Sequence, residues 1–170
     1  MLRDYYELAK PGIVYGNAVT TLAAFLYASR WQFSVGLFLA TMVGIMLVIG
    51  SACVFNNYLD RDIDAKMTRT KARALASGKI GGMSALTYAS ALGVLGLVLL
   101  YVYTNALTAV IALSGWILYV LVYTPAKRRT PFATLIGAVP GAVPIVVGYT
   151  AALGRFDLPA IVLFFSLVLW

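Results

Sequence analysis

Three oxygen-bearing side chains recur at four-residue intervals in the sequence: Asn56, Asp60 and Asp64. They directly follow a long apolar run, so we predict that they continue a helix, on which each four-residue step turns about 40° and rises about 6 Å. The three side chains then form a stripe on one face, and Asp62 points elsewhere. Two carboxylates and an amide oxygen are hard ligands suited to Mg²⁺, which completes its shell with water and phosphate oxygens. The stripe therefore predicts a magnesium site for a phosphorylated substrate.

Basic residues follow this stripe at once. The candidate diphosphate ligands among them are Lys66, Arg69, Lys71 and Arg73. They can neutralise a diphosphate while the metal joins it to the carboxylates, and clamped cations stabilise the negative charge that develops on a leaving diphosphate. The alternative is a solvated linker whose basic residues only mark membrane topology, and for the lysines and arginines alone we favour it. The charge bias that sets membrane topology does not require acidic residues at this position, so for the stripe itself we favour a functional role.

Three further polar positions carry open interpretations. Lys127, with Arg128 and Arg129, ends the fourth predicted helix, where such charges stop membrane transfer; Lys127 is also a candidate diphosphate ligand, and both interpretations stand. Asn17 lies within the first predicted helix, and we interpret it as bonded between helices rather than catalytic. We interpret Lys10, just before a proline, as an interfacial anchor.

Composition places these residues in a membrane protein. The chain is 62% hydrophobic and 11% charged, unlike a soluble domain. Charges are absent from residues 11–29, 31–59, 80–126, 130–154 and 158–170. Because a membrane-spanning helix needs about 20 apolar residues, the third of these gaps holds two helices. We predict an all-α, polytopic transmembrane bundle of about six helices, at Gly12–Ser29, Ser34–Asp60, Met83–Tyr103, Ala106–Tyr123, Phe132–Ala152 and Leu158 onward.

The basic residues also predict orientation. Eleven of the thirteen fall on the side of the N-terminus and two on the other, so we predict a cytoplasmic N-terminus in a bacterial or archaeal plasma membrane. The net charge of +7 is thereby accounted for by basic residues in the loops on one side of the lipid bilayer, and we expect no nucleic-acid partner.

Cys53 is the only cysteine, which excludes an intrachain disulfide and a cysteine-based zinc site.

A pocket among the helices would hold an apolar substrate tail and exclude water. We expect residues such as Tyr15, Phe25 or Phe55 to line it. The fifth predicted helix contains glycines and two prolines, for which we expect close packing with a bend. The apolar run that ends at Trp170 is too short to cross a bilayer, so we expect residues 1–170 to form a single transmembrane domain that is truncated at its C-terminus.

The stripe, followed by Arg69-Thr70, Arg73, Leu75 and Gly78, resembles the first signature of the intramembrane aromatic prenyltransferase (UbiA) superfamily. Within that superfamily the chain resembles the heme o synthase branch over essentially its whole length. The segments that carry this resemblance are 10–13, 16–17, 53–58, 60–64, 67–73, 134–137 and 148–149.

The resemblance implies transfer of a farnesyl group from farnesyl diphosphate to a vinyl group of heme b, with Mg²⁺ and with heme b as substrate rather than cofactor. It implies that Asn56, Asp60 and Asp64 are catalytic and hold the metal through the diphosphate. It also implies association with heme-handling or oxidase assembly proteins. The fold implied is the N-terminal part of a nine-helix prenyltransferase whose second aspartate-rich loop would follow Trp170, so we expect this chain to be inactive alone. The chain contains no histidine, which places any histidine ligation of iron outside it.

Two alternatives remain open at this point. A prenyltransferase for an aromatic quinone precursor would share the aspartate stripe and differ only in its acceptor. A non-catalytic membrane assembly or transport subunit would use the charged loop for regulation, and diphosphate binding would then not depend on Asp60 and Asp64.

Overall fold

Helices account for all the regular structure of this chain, of which the computed structural model describes residues 1–170. The α-helices are α1 (Leu2–Leu8), α2 (Pro11–Ser29), α3 (Val35–Asp64), α4 (Gly82–Tyr103), α5 (Ala106–Ile117), α6 (Thr124–Ala126), α7 (Ala133–Leu153) and α8 (Leu158–Leu169). A π-helical segment, Leu118–Tyr123, joins α5 to α6 without a break. The predicted all-α class is confirmed, and the six predicted helices correspond to α2, α3, α4, the α5–α6 unit, α7 and α8.

Four of these units are long and apolar enough to cross a membrane. They are Val35–Asp64, Gly82–Tyr103, Ala106–Ala126 and Ala133–Leu153. Helix α2 has 19 residues but includes Asn17, Thr20 and Thr21, and apolar α8 has 12 residues. The chain is therefore an integral membrane protein, with α2 and α8 packed against α7.

The N-terminal segment differs from the prediction. Residues before Pro11 were not expected to be helical, yet α1 forms and turns its buried Leu8 toward α3. Leu8 packs in a cluster with Val54 of α3 and Ala85 of α4, and the same cluster includes Leu75 and Ile80 from the segment between α3 and α4. These apolar contacts hold both polar segments, the chain before α2 and the chain after α3, against one end of the bundle.

Helix α3 extends beyond the predicted span Ser34–Asp60, as the predicted continuation of the helix through the stripe requires. It continues to Asp64, past the predicted end at Asp60, and the amide of Ala65 still bonds to the carbonyl of Arg61. The stripe therefore lies on one unbroken helix, as the spacing required.

Close helix packing accounts for the small residues of α7. A Cβ atom added to Gly148 would lie 2.2 Å from the carbonyl oxygen of Thr21 on α2, which leaves no room for a side chain. One turn earlier, the hydroxyl of Thr21 donates to the carbonyl of Pro144 at 3.0 Å. The predicted close packing of this helix is confirmed, and it brings α2 alongside α7 as one wall of the cavities described below.

Candidate functional site

The stripe lies on one buried face at the C-terminal end of α3. Asn56, Asp60 and Asp64 are 2%, 4% and 6% exposed, whereas the side chain of Asp62 is 60% exposed. The predicted separation of Asp62 from the other three is confirmed. Buried carboxylates need charged or hydrogen-bonding partners, because their desolvation is otherwise costly.

Both buried carboxylates are paired with basic side chains. The ammonium of Lys127 contacts Oδ2 of Asp60, and Arg128 contacts Oδ1 of Asp60 at 3.3 Å. Arg73 donates to Oδ2 of Asp64 at 2.7 Å. Two predicted diphosphate ligands, Lys127 and Arg73, thus contact the stripe itself. Lys127, directly after α6, is separated from its partner Asp60 by 67 positions in the sequence.

Asn56 has a cation partner that the sequence interpretation missed. Nζ of Lys10 donates to Oδ1 of Asn56 at 2.6 Å. Lys10 lies at the junction of α1 and α2 in a left-handed conformation with φ 53°, which turns its side chain inward, so its interpretation as an interfacial anchor is wrong. Burial lowers the pKa of the Lys10 ammonium from its ordinary value. The proline that follows it offered only a weak sequence signal for this turn.

A polar cavity of about 420 Å³ opens over the stripe. Two acidic and five basic side chains line it, and these are Asp60, Asp64, Lys10, Arg69, Arg73, Lys127 and Arg128. The excess of positive charge favours an anion that carries several negative charges. Arg69 is an exposed residue at the rim of this cavity, and its role as a diphosphate ligand stays a prediction.

Two predicted diphosphate ligands are not brought to this cavity. Lys66 and Lys71 are both exposed and absent from its lining. The segment between α3 and α4 turns Thr70 inward, where its hydroxyl donates to the carbonyl of Asp64 at 3.0 Å. Because Thr70 and Arg73 take the inward positions of these turns, the lysines face away, and their assignment as ligands is corrected.

An apolar cavity of about 370 Å³ adjoins the polar one. The two share Ile13, Tyr119 and Tyr123 in their linings. Beyond these residues the apolar cavity runs between α3, α5 and α7, and Gly141 is part of its wall. The pair therefore offers one continuous site with a cationic end and an apolar end, both in the usual size range of ligand pockets, about 300–1,000 Å³.

The residues predicted to line an apolar pocket lie elsewhere. Phe25 is fully buried against Phe33, with ring centroids 5.1 Å apart, and Tyr15 is exposed, with its hydroxyl 3.0 Å from that of Tyr6. Phe55 does not line the cavity but packs edge-on against Trp116, which does. The prediction of an apolar pocket stands, and these choices of lining residue are wrong because they were made without knowing which helix faces meet.

Asn17 also differs from its interpretation. Its amide donates to the carbonyl of Ile13 in the same helix at 2.8 Å, and the residue lines the apolar cavity. The hydrogen bond of Asn17 therefore lies within α2 and does not join two helices. Its carboxamide provides a polar group in an otherwise mainly apolar wall.

The π-helical segment shapes the boundary between the cavities. The rings of Tyr119 and Tyr123 lie 5.3 Å apart there, and the hydroxyl of Thr124 donates to the carbonyl of Tyr119 at 2.9 Å. That hydroxyl also accepts a bond from Nδ2 of Asn56 at 3.0 Å, so the segment is tied to the stripe. Segments of this type are frequent at functional sites. The sequence signal for it is Pro125, which has no N–H to donate to the preceding turn.

The donors at the stripe fit Mg²⁺ with oxygens from a second molecule. They are two carboxylates and one amide oxygen, all hard ligands. The chain has no group of three or more histidine, cysteine, aspartate or glutamate side chains that could hold a metal ion by itself. A metal at this position would need further oxygens that the protein does not supply. Mg²⁺ in proteins commonly takes such oxygens from water and from the phosphates of a substrate.

Comparison with known proteins decides the family. The profile of the UbiA prenyltransferase family matches residues 17–170. The chain belongs to this family. The UbiA profile covers the stripe and every helix from α3 to α8, and of the residues that line the two cavities it leaves out only Lys10 and Ile13. The family resemblance inferred from the motifs is thus confirmed.

Curated relatives of this UbiA chain extend beyond it. The protoheme IX farnesyltransferases of Yersinia pseudotuberculosis serotype O:1b (strain IP 31758) and of Photorhabdus laumondii subsp. laumondii are each 46% identical to it over 171 residues, which covers 100% of this chain. The chain spans 58% of the length of each of these relatives.

Solved structures share the UbiA fold. A digeranylgeranylglyceryl phosphate synthase superposes with a TM-score of 0.87 at 23% identity, over 99% of this chain and 58% of that one. A UbiA homolog from Archaeoglobus fulgidus, bound to GPP and Mg²⁺, gives a TM-score of 0.78 at 18% identity, over 97% of this chain and 60% of that one. At these identities the likeness establishes the fold.

Proposed function

We propose that the polar cavity binds the diphosphate of a prenyl diphosphate with Mg²⁺ and that the apolar cavity holds its hydrocarbon chain. One observation carries this proposal: a cavity lined by five basic side chains opens, past Tyr119 and Tyr123, onto an apolar cavity at membrane depth. A prenyl diphosphate has the same two parts in the same order. The Archaeoglobus fulgidus homolog of the same fold, bound to GPP and Mg²⁺, supports this assignment.

The basic residues would drive the departure of the leaving group. When the carbon–oxygen bond breaks, its electron pair stays on the diphosphate, and Arg73, Lys127 and Lys10 would stabilise the added negative charge. Asn56, Asp60 and Asp64 would hold Mg²⁺, which supplies further neutralisation of the diphosphate when bound.

The aromatic residues at the boundary would protect the other product of bond cleavage. The allylic carbocation forms where the two cavities meet, beside the rings of Tyr119 and Tyr123. Aromatic faces attract cations, and the apolar walls exclude the water that would consume this one. The electrons of an acceptor double bond would then form the new carbon–carbon bond, and the carbocation that this leaves on the acceptor would be discharged by loss of a proton or, for a vinyl group, by addition of water with release of a proton to solvent.

We infer that the acceptor is a vinyl group of heme b and the donor farnesyl diphosphate, so that the protein makes heme o. The support is the 46% identity to proteins named protoheme IX farnesyltransferase, together with the motifs of the heme o synthase branch. This chain would contribute the diphosphate end of that activity. Heme-handling and oxidase assembly proteins are the partners that this chemistry implies.

We also propose that the polar cavity opens to the cytoplasm of a bacterial plasma membrane. Helix α1, Lys10, the C-terminal turn of α3 with the segment that follows it, and the residues after α6 all lie at the same end of the bundle. Together they carry eleven of the thirteen basic residues. Farnesyl diphosphate, a charged molecule, would enter from that side.

The experiment is an assay of heme o formation in membranes that carry either this chain or a chimera extended by the C-terminal part of the Yersinia relative. Heme b, farnesyl diphosphate and Mg²⁺ are supplied, and hemes are separated by chromatography. Heme o that disappears with Asp60→Ala supports the proposal. Prenylation of a hydroxybenzoate in place of heme would move the assignment to a quinone precursor. Diphosphate binding that is unaffected by Asp60→Ala and Asp64→Ala would contradict an enzymatic role and favour a transport or assembly subunit.

A further inference from the structure

Every member of the stripe has a basic side chain on an oxygen that it could offer to a metal. Lys127 holds Oδ2 of Asp60, and Arg73 holds Oδ2 of Asp64. The third pair is between Lys10 and the uncharged Asn56. An ion pair explains the first two contacts, because they join opposite charges. It does not explain the third, in which a half-buried ammonium takes the only free oxygen of a neutral carboxamide.

We propose that Lys10 occupies the metal-binding oxygen of Asn56 in the free protein and moves to the diphosphate when metal and diphosphate enter together. Lys10 then excludes a metal ion that arrives alone and makes the binding of metal and diphosphate mutually dependent. This inference rests on the proposed function of the polar cavity.

The carboxamide of Asn56 is held in place from its other side. Its Nδ2 donates to Thr124, whose hydroxyl in turn donates to the carbonyl of Tyr119. Rotating the amide would break this bond and leave a buried donor without a partner, which is unfavourable. Oδ1 therefore stays directed toward Lys10, and a metal can reach it only if the Lys10 ammonium leaves.

The Lys10 ammonium has another position available. The residue lines the polar cavity together with Arg69, Arg73, Lys127 and Arg128. A diphosphate bound there would offer it several charged oxygens in exchange for one neutral oxygen, and hydrogen bonds between charged groups are the stronger ones. A flexible four-carbon stem allows the ammonium to make this change while the backbone of the α1–α2 junction stays in place.

The charge of the cavity also favours entry of the metal together with the diphosphate. Five basic and two acidic side chains line it, so a bare divalent cation would enter a region with an excess of positive charge. A diphosphate offsets that excess of positive charge and brings the oxygens that the metal lacks. The contact between Lys10 and Asn56 adds a local block to this general repulsion, and only Lys10 can supply it.

The test uses Mn²⁺ and inorganic pyrophosphate as probes. Free Mn²⁺ is measured by electron paramagnetic resonance while the detergent-purified protein is titrated, with and without pyrophosphate. Three variants are compared: Lys10→Met, which keeps the apolar stem; Lys10→Arg, which keeps the charge; and Lys79→Met, which removes an exposed positive charge from the same end of the bundle. Thermal unfolding of each variant shows that it is folded.

We expect wild-type protein to bind Mn²⁺ at least ~10-fold more tightly with pyrophosphate than without it, within the usual range of coupling between sites. Lys10→Met should bind Mn²⁺ alone ~3- to 10-fold more tightly than wild type and pyrophosphate more weakly, so that most of the coupling is lost. Lys10→Arg and Lys79→Met should retain the coupling.

Three results would overturn the proposed function or the role of Lys10, and they can be told apart. If wild-type protein binds no Mn²⁺ even with pyrophosphate, the proposed metal–diphosphate function of the cavity fails. If wild type shows joint binding but Lys10→Met behaves like Lys79→Met, that function stands and the role of Lys10 as a stand-in for the metal is wrong. Equal loss of coupling in Lys10→Met and Lys79→Met would likewise assign the effect to overall charge and overturn the inference.

Discussion

Asn56 of α3 and Thr124 of α6 are joined by a hydrogen bond of 3.0 Å, from Nδ2 of the amide to the hydroxyl, across 68 residues of sequence. Both side chains are buried, and the hydroxyl passes the connection on to the carbonyl of Tyr119 in the π-helical segment. This bond sets the position of the stripe relative to the aromatic boundary of the two cavities.

Replacing Thr124 by valine should disorder the Asn56 carboxamide. Valine has a similar shape but no hydroxyl, so the buried Nδ2 of Asn56 loses its partner, at a cost of about 1–3 kcal/mol of unfolding free energy, while the carbonyl of Tyr119 keeps its backbone bond from the amide of residue 124. Pyrophosphate-dependent Mn²⁺ binding should fall at the same time. Thr68→Val, at an exposed position of the neighbouring loop, is the control for both measurements. Unchanged binding in Thr124→Val would show that the orientation of Asn56 does not matter to the site.

Asp60→Asn should remove most activity while Asp62→Asn leaves much of it. Asp60 faces the polar cavity and contacts Lys127, whereas Asp62 is mostly exposed and contacts only Arg128. Loss of a group that positions the leaving-group charge commonly lowers the rate by roughly 10²–10³-fold. Initial rates of heme o formation in the extended chimera provide the measurement. Equal effects of the two substitutions would argue that the stripe acts only through total charge.

Gly148→Ala should destabilise the contact between α2 and α7. The added Cβ would lie 2.2 Å from the backbone oxygen of Thr21, so one helix must shift, and overpacking of this kind costs about 1–3 kcal/mol. Gly141→Ala, in the same helix, has no atom within 4 Å of its added Cβ and should be neutral or slightly stabilising. The midpoints of thermal unfolding in detergent compare them. A Gly148→Ala protein as stable as wild type would contradict the close approach.

Gly141→Leu should shorten the prenyl chain that the site accepts. Gly141 lines the apolar cavity with free space beyond it, so leucine can fill part of that cavity without displacing a neighbour. Each methylene excluded from an apolar site is worth about 0.8 kcal/mol, so exclusion of about two to three carbons of the terminal isoprene unit should weaken farnesyl diphosphate relative to geranyl diphosphate by roughly 10- to 100-fold. Competition binding measures this ratio. Gly16→Leu, outside the cavity, should not change it, and a similar shift there would count against the cavity assignment.

Cysteine labelling tests the predicted orientation. The only native cysteine, Cys53, is buried, so new cysteines at the exposed positions Gln32 and Ser77 can be read separately. With a cytoplasmic N-terminus, a membrane-impermeant maleimide should label Gln32→Cys in intact cells and Ser77→Cys only after permeabilisation. The reverse pattern would place the polar cavity on the outer side and contradict entry of the diphosphate from the cytoplasm.

Much of the fold was accessible from the sequence, because it depends on local properties. Charge-free stretches of the right length predicted the helices, and the four-residue spacing predicted that Asn56, Asp60 and Asp64 share a face. The short helix α1 was missed because seven residues are too few to form a stable helix alone. Its stability comes from tertiary packing, since Leu8 packs against α3 and α4.

The composition of the site was only partly accessible. Arg73, Lys127 and Arg69 were predicted as ligands and do line the polar cavity, whereas Lys66 and Lys71 were predicted and do not. All five are basic residues at the same end of the chain's helices, and their charge alone cannot distinguish those that face inward. The turns around Thr70 make that distinction, because its buried hydroxyl fixes which side of the loop faces the stripe.

The sequence by itself determined the membrane-embedded helical fold and the stripe of oxygen-bearing side chains, since the first follows from charge-free stretches of sufficient length and the second from the period of a single helix. Only the tertiary structure decided which cations meet that stripe. Lys10 and Asn56 are separated by 46 residues, and their contact depends on how the α1–α2 junction packs against α3. No local spacing encodes such a contact, because it arises from the apolar surfaces that several helices bury together.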